Sequence, residues 1–380
     1  MVKEYLIPKR IGYLHNHTQY SIQDGVPELI QYKNKIIEMQ QEGIDIVGFA
    51  VTDHGVAAGI VDLYENFHND KVCKAKPLYG VELYTCNDRA TADDKERYHL
   101  VVIAKSNESL KNYYSLCSIA GMNPVGQRKL MPRAELNDLK KYGKGLIGLS
   151  ACIGGEIPQL ILNGEIQKAI DKAIEFSNIF DEFYLEVQPN EMPEQLLVNK
   201  TLVDISNQTG IPLVITTDTH YLNKEDKKFH DVLLKINYLK PFDCSNELKS
   251  FDEIYDYCIK YNIPLSAITN TVKISEECNV DPSCKDSKGM LPKFPCPKGY
   301  NEDTYLRKIC FDNLFKQCIK SKFKDLRYRI NRLNYELDVV ISQGFSGYFL
   351  ILWEWFDWCK KEGILLGKGR GKLLPPVKAI

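Results

Sequence analysis

Short apolar runs, separated by stretches of helical period, recur from Ile46 to Thr216 and limit this chain to few folds. They are IVGFAV (Ile46 to Val51), PLYGV (Pro77 to Val81), HLVVIA (His99 to Ala104), GLIGL (Gly145 to Leu149), FYLEV (Phe183 to Val187) and IPLVIT (Ile211 to Thr216). Apolar residues at both alternations suit strands buried on both faces, as in parallel sheets. Between them, residues 27–42 place Leu29, Tyr32, Ile36, Ile37 and Met39 close to one helical face, and residues 165–179 do the same with Ile166, Ala169, Ile170 and Ala173. Strand–helix alternation of this length predicts an α/β fold, either a barrel or a doubly wound sheet.

The ends of the runs carry the chemistry. FAV leads into Thr52-Asp53-His54-Gly55, LYGV into Glu82, IGLS into Ala151-Cys152, and LVIT into Thr217-Asp218-Thr219-His220. In a (β/α) barrel the C-terminal strand ends converge on one face, where active sites sit. His99 departs from this pattern because it opens its run. Upstream, YLHNH read as a strand puts His15 and His17 on one face, and Asp24 precedes a glycine shortly after. Singly, each residue is better explained as structural, but five of the seven histidines (His15, His17, His54, His99, His220) collect at strand edges. His68 and His230 fall in helical stretches and read as structural. His, Asp, Glu and Cys form the ligand set of zinc, manganese or iron. So many groups exceed the needs of one ion, and clusters of two or three ions hydrolyse phosphate esters.

The bulk composition excludes little. It is that of a globular chain, 44% apolar and 26% charged with a net charge of −1, so any basic surface is local. No apolar run approaches the ~20 residues that span a bilayer, and MVKEYLIPKR lacks a signal-peptide core. A cytoplasmic chain without membrane contact is expected. The twelve cysteines contain no C-x-x-C. The spacing of Cys278, Cys284 and Cys296 does not fit a zinc ribbon.

The segments HNHTQYSIQDG, VTDHG, GVEL, YHLVVIAK, LSACIGGEIPQL and TTDTHYL, in that order, resemble the PHP (polymerase and histidinol phosphatase) domain. The resemblance covers roughly residues 10–240. LSACIGGEIPQLIL and FHDVLLKI resemble the branch that opens bacterial C-family replicative polymerases, the DNA polymerase III α subunits. It implies a distorted (β/α) barrel followed by a mostly helical, incomplete palm-like region, divided as 1–285 and 286–380. It also implies nine metal ligands: His15, His17, Asp24, His54, Glu82, His99, Cys152, Asp218 and His220. Of these, His15, His17, Asp24, His54, Asp218 and His220 would be catalytic. Two or three divalent transition metals, zinc or manganese, and 3′→5′ exonuclease or phosphoesterase activity follow from the same resemblance. So do DNA 3′ ends and other replicase subunits or a polymerase part as partners. A scaffold within the replicase and a stand-alone phosphatase are the alternatives. The first would have been favoured by lost ligands, and the palm-like second region argues against the other.

Beyond residue 245 the character changes. Residues 250–280 read as helices connecting two parts, and residues 326–342 as an amphipathic helix with Ile330, Leu333, Leu337, Val340 and Ile341 on one side. GFSGYFLILWEWFDWCKKEGILLGKGRGK then resembles the start of the family's palm. There Gly367, Gly369, Arg370 and Gly371 would form a phosphate-binding loop. Lys368 and Lys372 stand where the family has proline and serine. Residues 316–372 carry twelve Lys/Arg against six Asp/Glu, which reads equally as a nucleic-acid face or a solvated helical face. No Asp-x-Asp pair occurs in the 380 residues. The chain is therefore expected not to extend a primer by itself, since two-metal polymerases need such paired carboxylates.

Overall fold

The computed structural model describes residues 5–68, 70–89, 96–122, 132–237, 239, 245–283, 292–321 and 325–365. The chain divides into two compact units, Met1–Pro282 and Ser283–Ile380.

The first unit is built on one curled sheet. Its strands are β1 (Arg10–Tyr13), β2 (Asp45–Val51), β3 (Lys76–Cys86), β4 (Tyr98–Ala104), β5 (Ala134–Glu135), β6 (Leu146–Leu149), β7 (Glu182–Val187) and β8 (Leu213–Ile215). They run in the order β1-β2-β3-β4-β6-β7-β8, with β5 paired to β3. The helices are α1 (Leu29–Gln41), α2 (Ile60–Leu63), α3 (Asn107–Met122), α4 (Leu136–Tyr142), α5 (Glu156–Leu162), α6 (Ile166–Ile179), α7 (Pro193–Thr209), α8 (Lys227–Ile236), α9 (Phe251–Tyr261) and α10 (Ser266–Glu277). The two ends of the sheet meet at a parallel bridge between Asn16 and Thr219.

Strand alternation divides the core in two. One face contributes Ala50, Leu78, Val101, Ile103, Leu149 and Val214 to an inner cluster that also takes in Ile274 of α10. The other face packs under the surrounding helices, where Leu29, Tyr32, Ile36 and Met39 of α1 are buried as their spacing predicts. In α6 the buried face is Ala169, Ile170, Ala173 and Phe176. Ile166, expected to be buried, is 40% exposed because it occupies the first turn.

Two expectations need correction. The sheet is not all parallel: β4 runs antiparallel to both β3 and β6. YLHNH is not a strand: β1 ends at Tyr13, and His15 and His17 lie beyond it on either side of the Asn16 bridge. Helices α9 and α10 pack within the first unit. Thr271 Oγ1 of α10 accepts a hydrogen bond from Gly12 N at 2.9 Å. A Cβ built on Gly48 would lie 2.5 Å from Ser275 Oγ and 2.7 Å from Ser275 Cβ. Glycine there lets α10 press directly on the strand backbone. Gly48→Ala is expected to destabilise the unit by about 1–3 kcal/mol through overpacking, read as a lower urea midpoint at unchanged slope.

The second unit contains α11 (Glu302–Ser321), α12 (Leu326–Ser342) and α13 (Ser346–Lys361). They share a cluster of Leu306, Ile309, Cys310, Leu333, Leu337 and Leu350. The chain turns between α12 and α13 at Gly344, whose φ of +75° suits glycine. Three cations of the basic stretch pair locally, Arg329 with Asp325, Arg332 with Glu336 and Lys361 with Asp357. Among the described residues no helix is long and apolar enough to cross a membrane.

Candidate metal centre

All nine residues singled out as ligands lie at one end of the sheet. His15 and His17 follow β1, where His17 N donates to Thr219 O (2.8 Å) and Thr219 N donates to His15 O (3.2 Å). This bridge carries Asp218 and His220, which follow β8, to the same place. His54 follows β2 and is bridged to Glu82 of β3. Asp24 comes from the loop before α1. His99 opens β4 and sits opposite Tyr84 of β3. The antiparallel direction of β4 explains its position, since the start of an antiparallel strand lies at the C-terminal end of its neighbours. Cys152 follows β6. Two backbone positions here are left-handed without glycine, Ala151 (φ +61°) and Asp218 (φ +46°). Such strain is tolerated where surrounding contacts fix the chain, commonly at functional sites.

Glu82, 1% exposed, is the hub. Its Oε1 lies 2.9 Å from His99 Nδ1, 3.4 Å from His15 Nε2 and 3.7 Å from Cys152 Sγ. Its Oε2 lies 2.8 Å from His54 Nδ1 and 3.4 Å from His17 Nε2. Asp218 Oδ1 is 3.3 Å from His15 Nε2 and 3.2 Å from His17 Nε2. Asp24 Oδ2 is 3.2 Å from His54 Nε2 and 3.8 Å from His220 Nε2. The His17 ring lies against both His54 and His220, with centroids 4.2 Å from each, and those two rings are 5.9 Å apart.

The donor set fits more than one cation. Three groups bring their ligand atoms within 4.8 Å of one another: His15, His17 and Asp218; His17, His54 and His220; and His54, Glu82 and His99. Asp24 Oδ1 is buried without a hydrogen bond, and Glu82 Oε2 and Asp218 Oδ1, equally buried, meet only imidazole nitrogens of the same cluster. Buried acceptors in that condition are costly, and a cation removes the cost. The titration of the site points the same way. Burial opposes charge on Glu82, yet His99, His15 and His54 hold it well below the usual carboxylate range. Burial likewise disfavours charge on His15 and His54. It is outweighed by Glu186, Asp218 and Glu82 at His15, and by Glu82 and Asp24 at His54, so both are raised well above 6.5. Burial, with His54 and His220 alongside, pushes His17 down to about 3. Burial beside Glu82 and Asp218 raises the Cys152 thiol. These cations and protons stand where metal charge would act, and a metal ion inverts such pKa logic. These clusters are compatible with a multinuclear metal site.

Sequence reasoning did not single out the groups behind the ligands. Glu186 Oε1 lies 2.7 Å from His15 Nδ1 and also accepts from Thr216 Oγ1 (2.6 Å) and Gln188 Nε2 (2.9 Å). Ser21 Oγ lies 2.9 Å from His17 Nδ1 and donates to Asp53 Oδ1 (2.7 Å). The available signals were a carboxylate inside the apolar run FYLEV for Glu186 and a carboxylate just beyond the end of IVGFAV for Asp53. His230 of α8, read as structural, is buried 5.4 Å from the His220 ring. The glycine loop of Gly367, Gly369, Arg370 and Gly371 lies outside the described residues.

Residues 13–190 match the family described as PHP domain, and residues 304–373 match the bacterial DNA polymerase III alpha NTPase domain. DNA polymerase III subunit alpha of Borreliella burgdorferi is 34% identical over 95% of this chain and 31% of its own length. The Aquifex aeolicus protein of the same name is 32% identical over 96% and 32%, and that of Bacillus subtilis 31% identical over 94% and 30%. The chain spans about a third of the length of the curated relatives it matches. It belongs to the DNA polymerase III α-subunit family and corresponds to the N-terminal part of those proteins, a PHP domain followed by the beginning of their NTPase region.

Proposed function

We propose that the first unit is a metal-dependent phosphodiesterase acting as a 3′→5′ exonuclease. The observation that carries this reading is the convergence of all nine ligand-type residues around the buried carboxylate of Glu82. His15, His17, Asp24, His54, Glu82, His99, Cys152, Asp218 and His220 hold two or three divalent ions, with His15, His17, Asp24, His54, Asp218 and His220 nearest the chemistry. Imidazoles and a thiolate favour zinc or manganese over magnesium. Bound there, such ions activate water and neutralise charge on a phosphodiester. The substrate is a DNA 3′ end, single-stranded or at a primer–template junction. A scaffold role is less well supported, because no ligand position has been lost.

The PHP unit takes in residues 1–285, and residues 286–380 are the beginning of a palm, with Gly367, Gly369, Arg370 and Gly371 as a nucleotide loop. The match of residues 304–373 to the polymerase family supports that assignment. Partners are the remaining polymerase part and other replicase subunits, in the cytoplasm. Primer extension by this chain alone is not expected, for want of an Asp-x-Asp pair.

The test is hydrolysis of a 5′-labelled single-stranded oligonucleotide with Mn²⁺ or Zn²⁺. The expected result is a ladder shortening from the 3′ end, absent in Asp218→Asn. Equal cleavage by wild type and variant would assign the activity to a contaminant, and no cleavage by either would remove the exonuclease reading.

A further inference from the structure

We infer that the ions of this centre load in order, beginning at the pocket of His15, His17 and Asp218, because outer groups have already set the two imidazoles to receive one. This inference rests on the metal-centre reading above.

The argument runs through hydrogen-bond direction. A carboxylate accepts only. Ser21 Oγ donates its single proton to Asp53 Oδ1 at 2.7 Å. Asp53 is locked in place by Thr18 N (2.7 Å) and Thr18 Oγ1 (2.9 Å). The Ser21 oxygen is therefore left as an acceptor. It takes the backbone N–H of His54 (3.2 Å) and faces His17 Nδ1 at 2.9 Å. His17 must carry its proton on Nδ1 and present a lone pair at Nε2. Glu186 orients His15 in the same way, its carboxylate facing His15 Nδ1 at 2.7 Å, so that the nitrogen left for an ion is Nε2. Each imidazole thus turns Nε2 inward, 3.2 Å apart, onto Asp218 Oδ1. Two inward-facing ring nitrogens and a carboxylate oxygen share one buried space, and the side chains of both histidines are 0% exposed. Fixing tautomer and ring orientation in this way raises ligand strength.

The outer pocket lacks this preparation. Both nitrogens of His54 face carboxylates of the ligand set itself, Glu82 at 2.8 Å and Asp24 at 3.2 Å. His99 Nδ1 is engaged by Glu82 at 2.9 Å and by Cys152 Sγ at 3.4 Å. An ion entering between His54, Glu82, His99 and Cys152 must first break these contacts. These side chains are also more open, 12% exposed for His54 and 20% for His99.

The experiment equilibrates the purified full chain in Co²⁺ buffers of stepped free-ion concentration. Bound cobalt per chain is measured together with the thiolate-to-cobalt charge-transfer absorption, which reports the Cys152 pocket. The expected result is a first equivalent that binds with little charge-transfer absorption, the band growing only with later ions. Ser21→Ala and Glu186→Gln should each weaken the first ion about 10–100-fold and bring the band forward to the first equivalent. Ser21→Ala keeps the Asp53–Thr18 bonds, so folding and tautomer effects separate, and circular dichroism confirms the fold. A band that grows in proportion from the first addition in wild type overturns the order alone. Unchanged first-ion affinity in both folded variants overturns the presetting. No cobalt bound at any concentration removes the metal-centre reading and this inference with it.

Discussion

Glutamine in place of Glu82 is expected to leave the chain with at most one tightly held ion and to abolish measurable phosphodiesterase activity. Glu82 is the one side chain whose oxygens approach His15, His17, His54, His99 and Cys152 together. Glutamine preserves its volume but removes the charge and turns an N–H₂ donor onto groups that need an acceptor. Outer groups around metal ligands cost about 10–100-fold when changed, and loss of a carboxylate shared between pockets should exceed that range. Metal content and turnover measured on the same gel-filtered sample decide the matter. Near-normal values of both would mean that Glu82 is a structural carboxylate.

Stabilisation by metal is expected to rise steeply with pH. In the metal-free protein, Asp24, Glu82 and Asp218 are depressed by the neighbouring imidazoles against the opposing effect of burial. Their contribution is present above about pH 4, the ordinary carboxylate value, and is lost as pH falls through the depressed values. His15 and His54 are raised. Their contribution is complete below about 6.5 and is lost as pH rises through the folded values. His17, held down to about 3 by burial, has the opposite sign and loses its contribution as pH falls below about 6.5, so the metal-free site supports the fold best at about pH 6.5. Metal needs both imidazoles and Cys152 deprotonated, so each displaced proton strengthens binding by about 1.4 kcal/mol per pH unit. The two imidazole protons alone give about 2.7 kcal/mol per unit by that rule, or about 5 °C in melting temperature for a unit of this size. Melting curves with and without chelator at pH 6, 7 and 8 should diverge as pH increases. A chelator shift that stays constant or shrinks would mean that metal does not compete with these protons.

Much of the site was legible in the sequence because its ligands follow strands, and a strand that ends in a titratable residue is visible as a local pattern. His54, Cys152, Asp218 and His220 are of this kind; His15 and His17 were expected within a strand but lie beyond the end of β1 at Tyr13. What was not legible depends on partners distant in sequence. His99 looked misplaced because nothing local reveals that β4 runs antiparallel to its neighbours. Glu186 lies 171 residues from His15, and Asp53 lies 32 residues from Ser21, so their roles emerge only when the sheet closes. Residues 250–280 read as helices, but nothing local showed that α10 lies against Gly12 and Gly48. The basic stretch of the second unit was legible as charge. Its i,i+4 ion pairs show that part of this charge is answered within the helices, as expected of a solvated face.

The central claim, that nine side chains form one multinuclear metal centre, is tested most directly by elemental analysis of the gel-filtered chain, with its fold confirmed by circular dichroism. The account predicts two or three transition-metal ions per chain, falling in His54→Ala and Asp218→Asn. A folded wild-type chain that holds no metal, even after incubation with Zn²⁺ or Mn²⁺, would contradict it.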